Sequence, residues 1–299
     1  MLRSWRLGSL FGIDVYVHST FLLLPLLVVL TSEAMGVGTI LFLLALLAAV
    51  FGCVVLHELG HALMARRFGI RTVDITLYPI GGVARLERMT ERPSEELWIA
   101  LAGPAVNVAI AALLTPLVLA GAFLAPLVLG SASPLGGKVW ALGVDFLFTL
   151  LWANIVLVLF NLLPAFPMDG GRVLRALLAL RMGTVRATTI AVGVGRGLIL
   201  AGLILSLVFA PSFLASNPML LLLAVFVFLV GQHELLAIRQ REAARQAEAT
   251  LPVVPFLADP AQDFRVEPGF SGITWDQRRG VGIQWHNGRP IGTFLFPSE

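Results

Sequence analysis

Long runs without a charged side chain constrain this chain more than any other feature. Residues 15–32 hold only His18 as a titratable group, and residues 34–57 run uncharged up to His57. Residues 97–137 form a third run, 146–168 a fourth, 187–210 a fifth interrupted by Arg196, and 219–237 a sixth beyond Pro211 and Pro218. A bilayer crossing needs roughly 20 mostly apolar residues. The third run is too long for one helix, and Pro104, Pro116 and Pro126 predict a cut to a span near 97–120. The fourth is entered from about Val139. Only 13% of the 299 residues are charged and 58% are hydrophobic. A soluble domain carries about 25% charged residues, so a water-soluble enzyme is excluded. The expectation is an all-α membrane protein with six transmembrane helices.

Six spans put both termini on one side. That side carries Arg3 and Arg6, then Arg66, Arg67, Arg71, Arg85, Arg88 and Arg92, then Arg172, Arg175, Arg181 and Arg186, whereas the other holds Lys138. Positive-inside bias makes it the cytoplasm and predicts a multi-pass protein of the cell membrane. The net charge of +3 therefore reads as an orientation signal, not a nucleic-acid surface. Arg196 costs roughly 2.5–3.5 kcal/mol inside a span and is expected to snorkel toward the end of its helix. The N-terminus lacks a small-residue cleavage site and reads as a retained first span.

Two segments fit neither span nor loop. Residues 72–86 alternate and are β-branched, which predicts a membrane-associated β-hairpin turning at Gly81-Gly82. Lipid forbids open strand edges, so it must pack on protein, line a wet cavity or lie at the interface. From about 239 the chain becomes polar. A core of 1–238 is expected to be followed by a short cytosolic C-terminal tail, 239–299. A charged helix at 234–249 precedes Pro252, Pro255 and Pro260, then either a floppy end or a small meander with an Asn287-Gly288 turn.

The second run ends His57-Glu58-Leu59-Gly60-His61. Histidines at i and i+4 stand on one helix face, and their imidazoles can converge on one Zn²⁺. Glu58 can then accept a proton from activated water. A catalytic zinc wants a third protein ligand and an open position. Asp169, set among Pro164, Pro167, Gly170 and Gly171, is the candidate; its plainer role is to cap a helix over 171–182. The second and fourth spans end at the same membrane face, as a shared metal requires. Asn107 could hydrogen-bond the substrate carbonyl or equally serve helix packing. Asn154 and Asn161 could orient the ligands or join helices. His18, His233 and His286 are isolated and are left out of the site. The single cysteine, Cys53, cannot form an internal disulfide.

His57–His61, the stretch Asn161–Arg172 and Gly103-Pro104-Ala105-Val106-Asn107 together resemble the site-2 protease family of intramembrane zinc metalloproteases, over roughly residues 5–237. The resemblance implies one Zn²⁺ held by His57, His61 and Asp169, with Glu58 as the catalytic acid. It implies cleavage of membrane-spanning protein substrates in the bilayer, as in regulated intramembrane proteolysis. The layout is similar to an archaeal and bacterial six-span subgroup. The 130–138 loop is too short for the PDZ domain of many relatives, and the tail is too short for paired CBS domains. A homo-oligomer is compatible with the sequence. Residues 72–86 could add an unwound substrate as a strand, because lipid cannot satisfy its freed backbone groups. A zinc or ion transporter, or an inactive scaffold, is the competing class. It would want polar groups along a path, whereas here they lie at one depth. A prenyl-protein protease with the same pentapeptide would want a later Glu ligand, and Glu234 has no matching motif.

Overall fold

The computed structural model describes residues 4–32, 36–88, 90, 92–131, 133–250, 253–254, 266–276 and 281–295. The chain divides into two units, Met1–Ile238 and Arg239–Glu299. The first unit contains a sheet that is more than the expected hairpin. Strands β1 (Ser4–Leu10), β2 (Ile13–His18), β3 (Thr72–Tyr78) and β4 (Gly81–Leu86) lie in the order β1-β2-β3-β4. The β2–β3 pair is parallel and the two outer pairs are antiparallel. Pro79-Ile80 makes the β3–β4 turn, and Gly81-Gly82 open β4. The chain is therefore not all-α.

The expected first span is also corrected. Residues 15–18 belong to β2, whose Ile13, Val15 and Val17 are buried in alternation with more accessible neighbours. The alternation in Ile13-Asp14-Val15-Tyr16-Val17-His18 was absorbed into a longer stretch without formal charge, 15–32. What remains, a 3₁₀ turn (Ser19–Leu22) and helix α1 (Leu23–Thr31), is shorter than a crossing needs.

Among the described residues, four helices are long and apolar enough to cross a membrane. They are α2 (Val37–Arg67), most of α3 (Pro93–Ser131), most of α4 (Pro134–Asn161) and α6 (Thr184–Phe209). Helix α3 runs through Pro104, Pro116 and Pro126, against the expected cut near residue 120. Each proline forfeits one backbone bond, but lipid offers a broken helix nothing better, so the helical path survives. Helix α4 starts at Pro134, earlier than expected, with Ser133 Oγ accepting the Gly136 N–H. It stops at Asn161, and residues 162–168 are turns. Short helices α5 (Asp169–Met182) and α7 (Pro211–Ser216) flank α6. Helix α8 (Pro218–Thr250) joins the expected sixth span to the charged helix after it.

Helix α2 is the scaffold. Its Leu59 and Ala62 pack on Ile13 and Ile75, and its Val54 on Val17 and Leu77, so one face of the sheet lies on the helix. Below them Ala65 meets Ile70 and Ile99. Leu113, Phe123, Leu205 and Phe209 point outward with most of their surface free, as lipid-facing side chains do. The guanidinium of Arg196 lies 4.8 Å from the ring centre of Phe228 on α8.

In the second unit, β5 (Val253–Val254), β8 (Arg289–Leu295), β7 (Val281–His286) and β6 (Gly272–Asp276) form a sheet in that order. Asn287 and Gly288, at φ 51° and 75°, make the β7–β8 turn. Ile283 and Trp285 are buried, and the Trp285 indole N–H donates to Thr274 Oγ1 over 2.6 Å. Pro252, Pro255, Pro260 and Phe296 lie outside the described residues.

The packing sets a test. Ile75 is fully buried against Leu59 and Ala62, whereas Ile80 is 81% exposed. Ile75→Ala is expected to cost about 2–4 kcal/mol, seen as a lower thermal midpoint in detergent, and Ile80→Ala to leave the midpoint unchanged.

Candidate metal centre

Three side chains from two helices meet in the first unit. His57 and His61 project from one face of α2, and Asp169 is the first residue of α5. All three are buried. His57 Nε2, His61 Nε2 and Asp169 Oδ2 lie 3.1 Å from one another. Asp169 is not the helix cap: the N-cap of α5 is Met168, and Asp169 turns its carboxylate to the histidines.

The second nitrogen of each ring fixes what the first can do. His61 Nδ1 lies 2.7 Å from the Ile99 carbonyl, which only accepts. His57 Nδ1 lies 2.6 Å from Asn107 Oδ1. That oxygen is identified by a chain of donors. Asn154 Nδ2 donates to the Leu150 carbonyl over 2.8 Å, leaving Asn154 Oδ1 to accept from Asn107 Nδ2 over 2.9 Å. Asn107 Oδ1 therefore faces His57, and both imidazoles carry their proton on Nδ1. Both Nε2 atoms then present lone pairs.

The centre is thus two lone pairs and a carboxylate oxygen aimed at one point, an arrangement that repels itself unless a cation sits between them. Two imidazoles and one carboxylate suit Zn²⁺ and leave a fourth position open. Of the described residues, His57, His61 and Asp169 form a group able to hold a metal ion.

Asn107 is fully buried, and its amide is used by His57 and Asn154. Asn154, also fully buried, orients His57 through Asn107 and places Nδ2 3.4 Å from Cys53 Sγ. Asn161, at the end of α4, makes no hydrogen bond to the centre among the described residues. The Ile99 carbonyl escaped sequence reading because any residue type supplies one. Glu58 lies beside His57 and accepts the Ala84 N–H of β4 on Oε2 over 3.2 Å.

Gly103 explains how α3 comes so close. A Cβ there would collide with His61 Nε2 and lie 2.7 Å from His57 Nε2. The Gly170-Gly171 pair does not make the expected turn. It opens α5, where a Cβ on Gly171 would lie 2.7–2.9 Å from the Ala165 and Phe166 backbone. The pair thus lets the 162–168 segment lie on the helix that carries Asp169.

Known proteins resemble this chain. Residues 45–203 match the model of peptidase family M50. A zinc metalloprotease of Methanocaldococcus jannaschii is 36% identical over 235 residues, 78% of this chain and 61% of that one. The Rip3 protein of Mycobacterium tuberculosis is 34% identical over 202 residues, 67% of this chain and 46% of its own length. The chain therefore spans about half to three-fifths of these curated relatives. The solved site-2 protease from M. jannaschii aligns with a TM-score of 0.51 and 33% identity, covering 78% of this chain and 95% of that one.

Gly103→Ala is expected to displace both imidazoles. Purified protein should fall from one zinc per chain to a small fraction of that, measured by elemental analysis, while an alanine at exposed Gly38 should keep the metal.

Proposed function

Since this chain belongs to peptidase family M50, we propose that it is an intramembrane zinc metalloprotease, hydrolysing peptide bonds within or near the transmembrane segments of other proteins. The observation that carries the reading is the convergence of two Nε2 lone pairs and the Asp169 carboxylate on one point. His57, His61 and Asp169 are the proposed ligands. Zinc held there supplies Lewis acidity, making water nucleophilic near neutral pH and polarising the scissile carbonyl.

The chain's own groups do the rest. Glu58 takes the proton from the attacking water as a carboxylate and, as the carboxylic acid so formed, delivers it to the leaving amine. Asn107 and the Ile99 carbonyl hold the imidazoles in the tautomer that binds metal. Strand β4 is the substrate guide. It is an end strand of its sheet, and Ala84 sends its N–H outward to Glu58. A substrate segment unwound from its helix can pair along this edge, where its freed backbone groups find partners and its carbonyls pass the base.

The proposed topology is a multi-pass cell-membrane protein with its arginine-rich loops and C-terminus in the cytoplasm, supported by the arginine asymmetry and by four helices of crossing length. Residues 1–238 are the proposed protease core and 239–299 a cytosolic appendage. The substrate is a single-span or hairpin membrane protein.

Glu58→Ala is expected to keep stoichiometric zinc and lose cleavage of a reconstituted transmembrane substrate by at least a thousandfold. A variant that cleaves at the wild-type rate would refute the assignment, and zinc flux in liposomes surviving the substitution would favour a transporter. Ala84→Pro removes an outward donor without touching the β3 ladder. It should keep zinc and reduce cleavage of helical substrates more than of a short extended peptide.

A further inference from the structure

We propose that Arg175 is a positioning residue for the metal centre: through Glu96 and Phe166 it fixes the helix carrying Asp169 against the turn of α3 that holds His61. The inference rests on the metal-binding reading above and assigns a role to a buried charge cluster that hydrolysis does not use.

Arg175 lies on α5 and is 4% exposed. Its Nε donates to Glu96 Oε1 over 2.9 Å, Nη2 binds the same oxygen, and Nη1 binds Glu234 Oε1 on α8. Arg172 Nε stands 4.0 Å from Glu96, so two cations meet two anions. The guanidinium plane also faces the Phe166 ring, 5.0 Å from its centre. Phe166 packs on Ala191 and Val192 of α6 and Leu235 of α8, and belongs to the segment leading into Asp169.

Two paths run from this cluster to the ligands. Glu96 lies one turn before Ile99 on α3, and the Ile99 carbonyl holds His61 Nδ1. Phe166 lies one turn before Asp169, and the Met168 N–H donates to the Ala165 carbonyl over 2.9 Å. Arg175 therefore braces both sides of the centre at once. Burying such a group is rarely a net gain in stability: an apolar replacement of similar volume often does as well. A planar fork with fixed donor directions does, however, set distances between three helices. A metal centre is sensitive to such distances, and loss of an orienting group around ligands typically weakens binding 10–100-fold.

The test uses the full-length protein in detergent. Zinc affinity is read by chelator competition, and the geometry of the site by the visible d–d bands of bound Co²⁺. Arg175→Lys keeps the charge but loses the fork and the stacked plane. It is expected to weaken zinc at least tenfold and to shift the Co²⁺ bands. Should that variant fold poorly, Glu96→Gln and Phe166→Leu break the two paths singly, and each is expected to weaken zinc several-fold. Ile75→Ala serves as a control of lowered thermal midpoint with an intact brace, and should retain wild-type zinc affinity. Wild-type affinity and an unchanged Co²⁺ spectrum in the folded Arg175, Glu96 and Phe166 variants would overturn the inference alone. So would an equal loss of zinc in Ile75→Ala. A wild-type chain that binds no zinc would overturn the reading of the centre itself, and this inference with it.

Discussion

Two hydrogen bonds donated by ring nitrogens, from His57 to Asn107 and from His61 to the Ile99 carbonyl, govern much of the architecture. Each puts a proton on Nδ1 and so turns an unprotonated Nε2 inward. Both acceptors lie on α3. That helix must therefore run directly against α2, closer than any side chain larger than hydrogen at residue 103 permits. The orientation of Asn107 depends in turn on Asn154 of α4, and that of Asn154 on a main-chain carbonyl one turn back. Three membrane-embedded helices are thus tied by a single polarised chain of amides. In lipid an unpaired amide has no water to fall back on, so such a chain is satisfied throughout or not at all.

The sheet answers a different need. An unwound peptide in a bilayer requires a partner for every backbone group. A protein that handles such peptides must expose a strand edge where lipid cannot reach. Placing the sheet on α2, with Glu58 at the edge of β4, gives the proposed substrate guide and the proposed base one helix as their common support.

Much of this was legible in the residues and some was not. The His57-Glu58-x-x-His61 spacing makes a one-face pair on any helix, so the metal pair could be read without coordinates. Asp169 could be read because prolines and glycines around an acid mark a chain that stops and redirects. The strands at the N-terminus were missed because a search for stretches without formal charge joins Val15 and Val17 to the leucines of α1 and passes over the alternation with Asp14, Tyr16 and His18. The prolines of α3 misled because a break that water would solvate leaves more backbone groups unpaired in lipid, so the helix continues despite the lost bonds. The role of Asn107 was missed because an asparagine that orients a ligand and one that touches a substrate look alike until its partners are known.

The order of the ligands along the chain has a consequence for biosynthesis. Helices α2 and α3 leave the ribosome well before the segment with Asp169, and together they already contain both imidazoles, the Ile99 carbonyl and Asn107. The nascent protein can therefore set both rings while the third donor is still unsynthesised. Full coordination must wait until α5 docks, late in translation. The proposed hydrolytic competence would thus be withheld from the growing polypeptide until its helices have assembled.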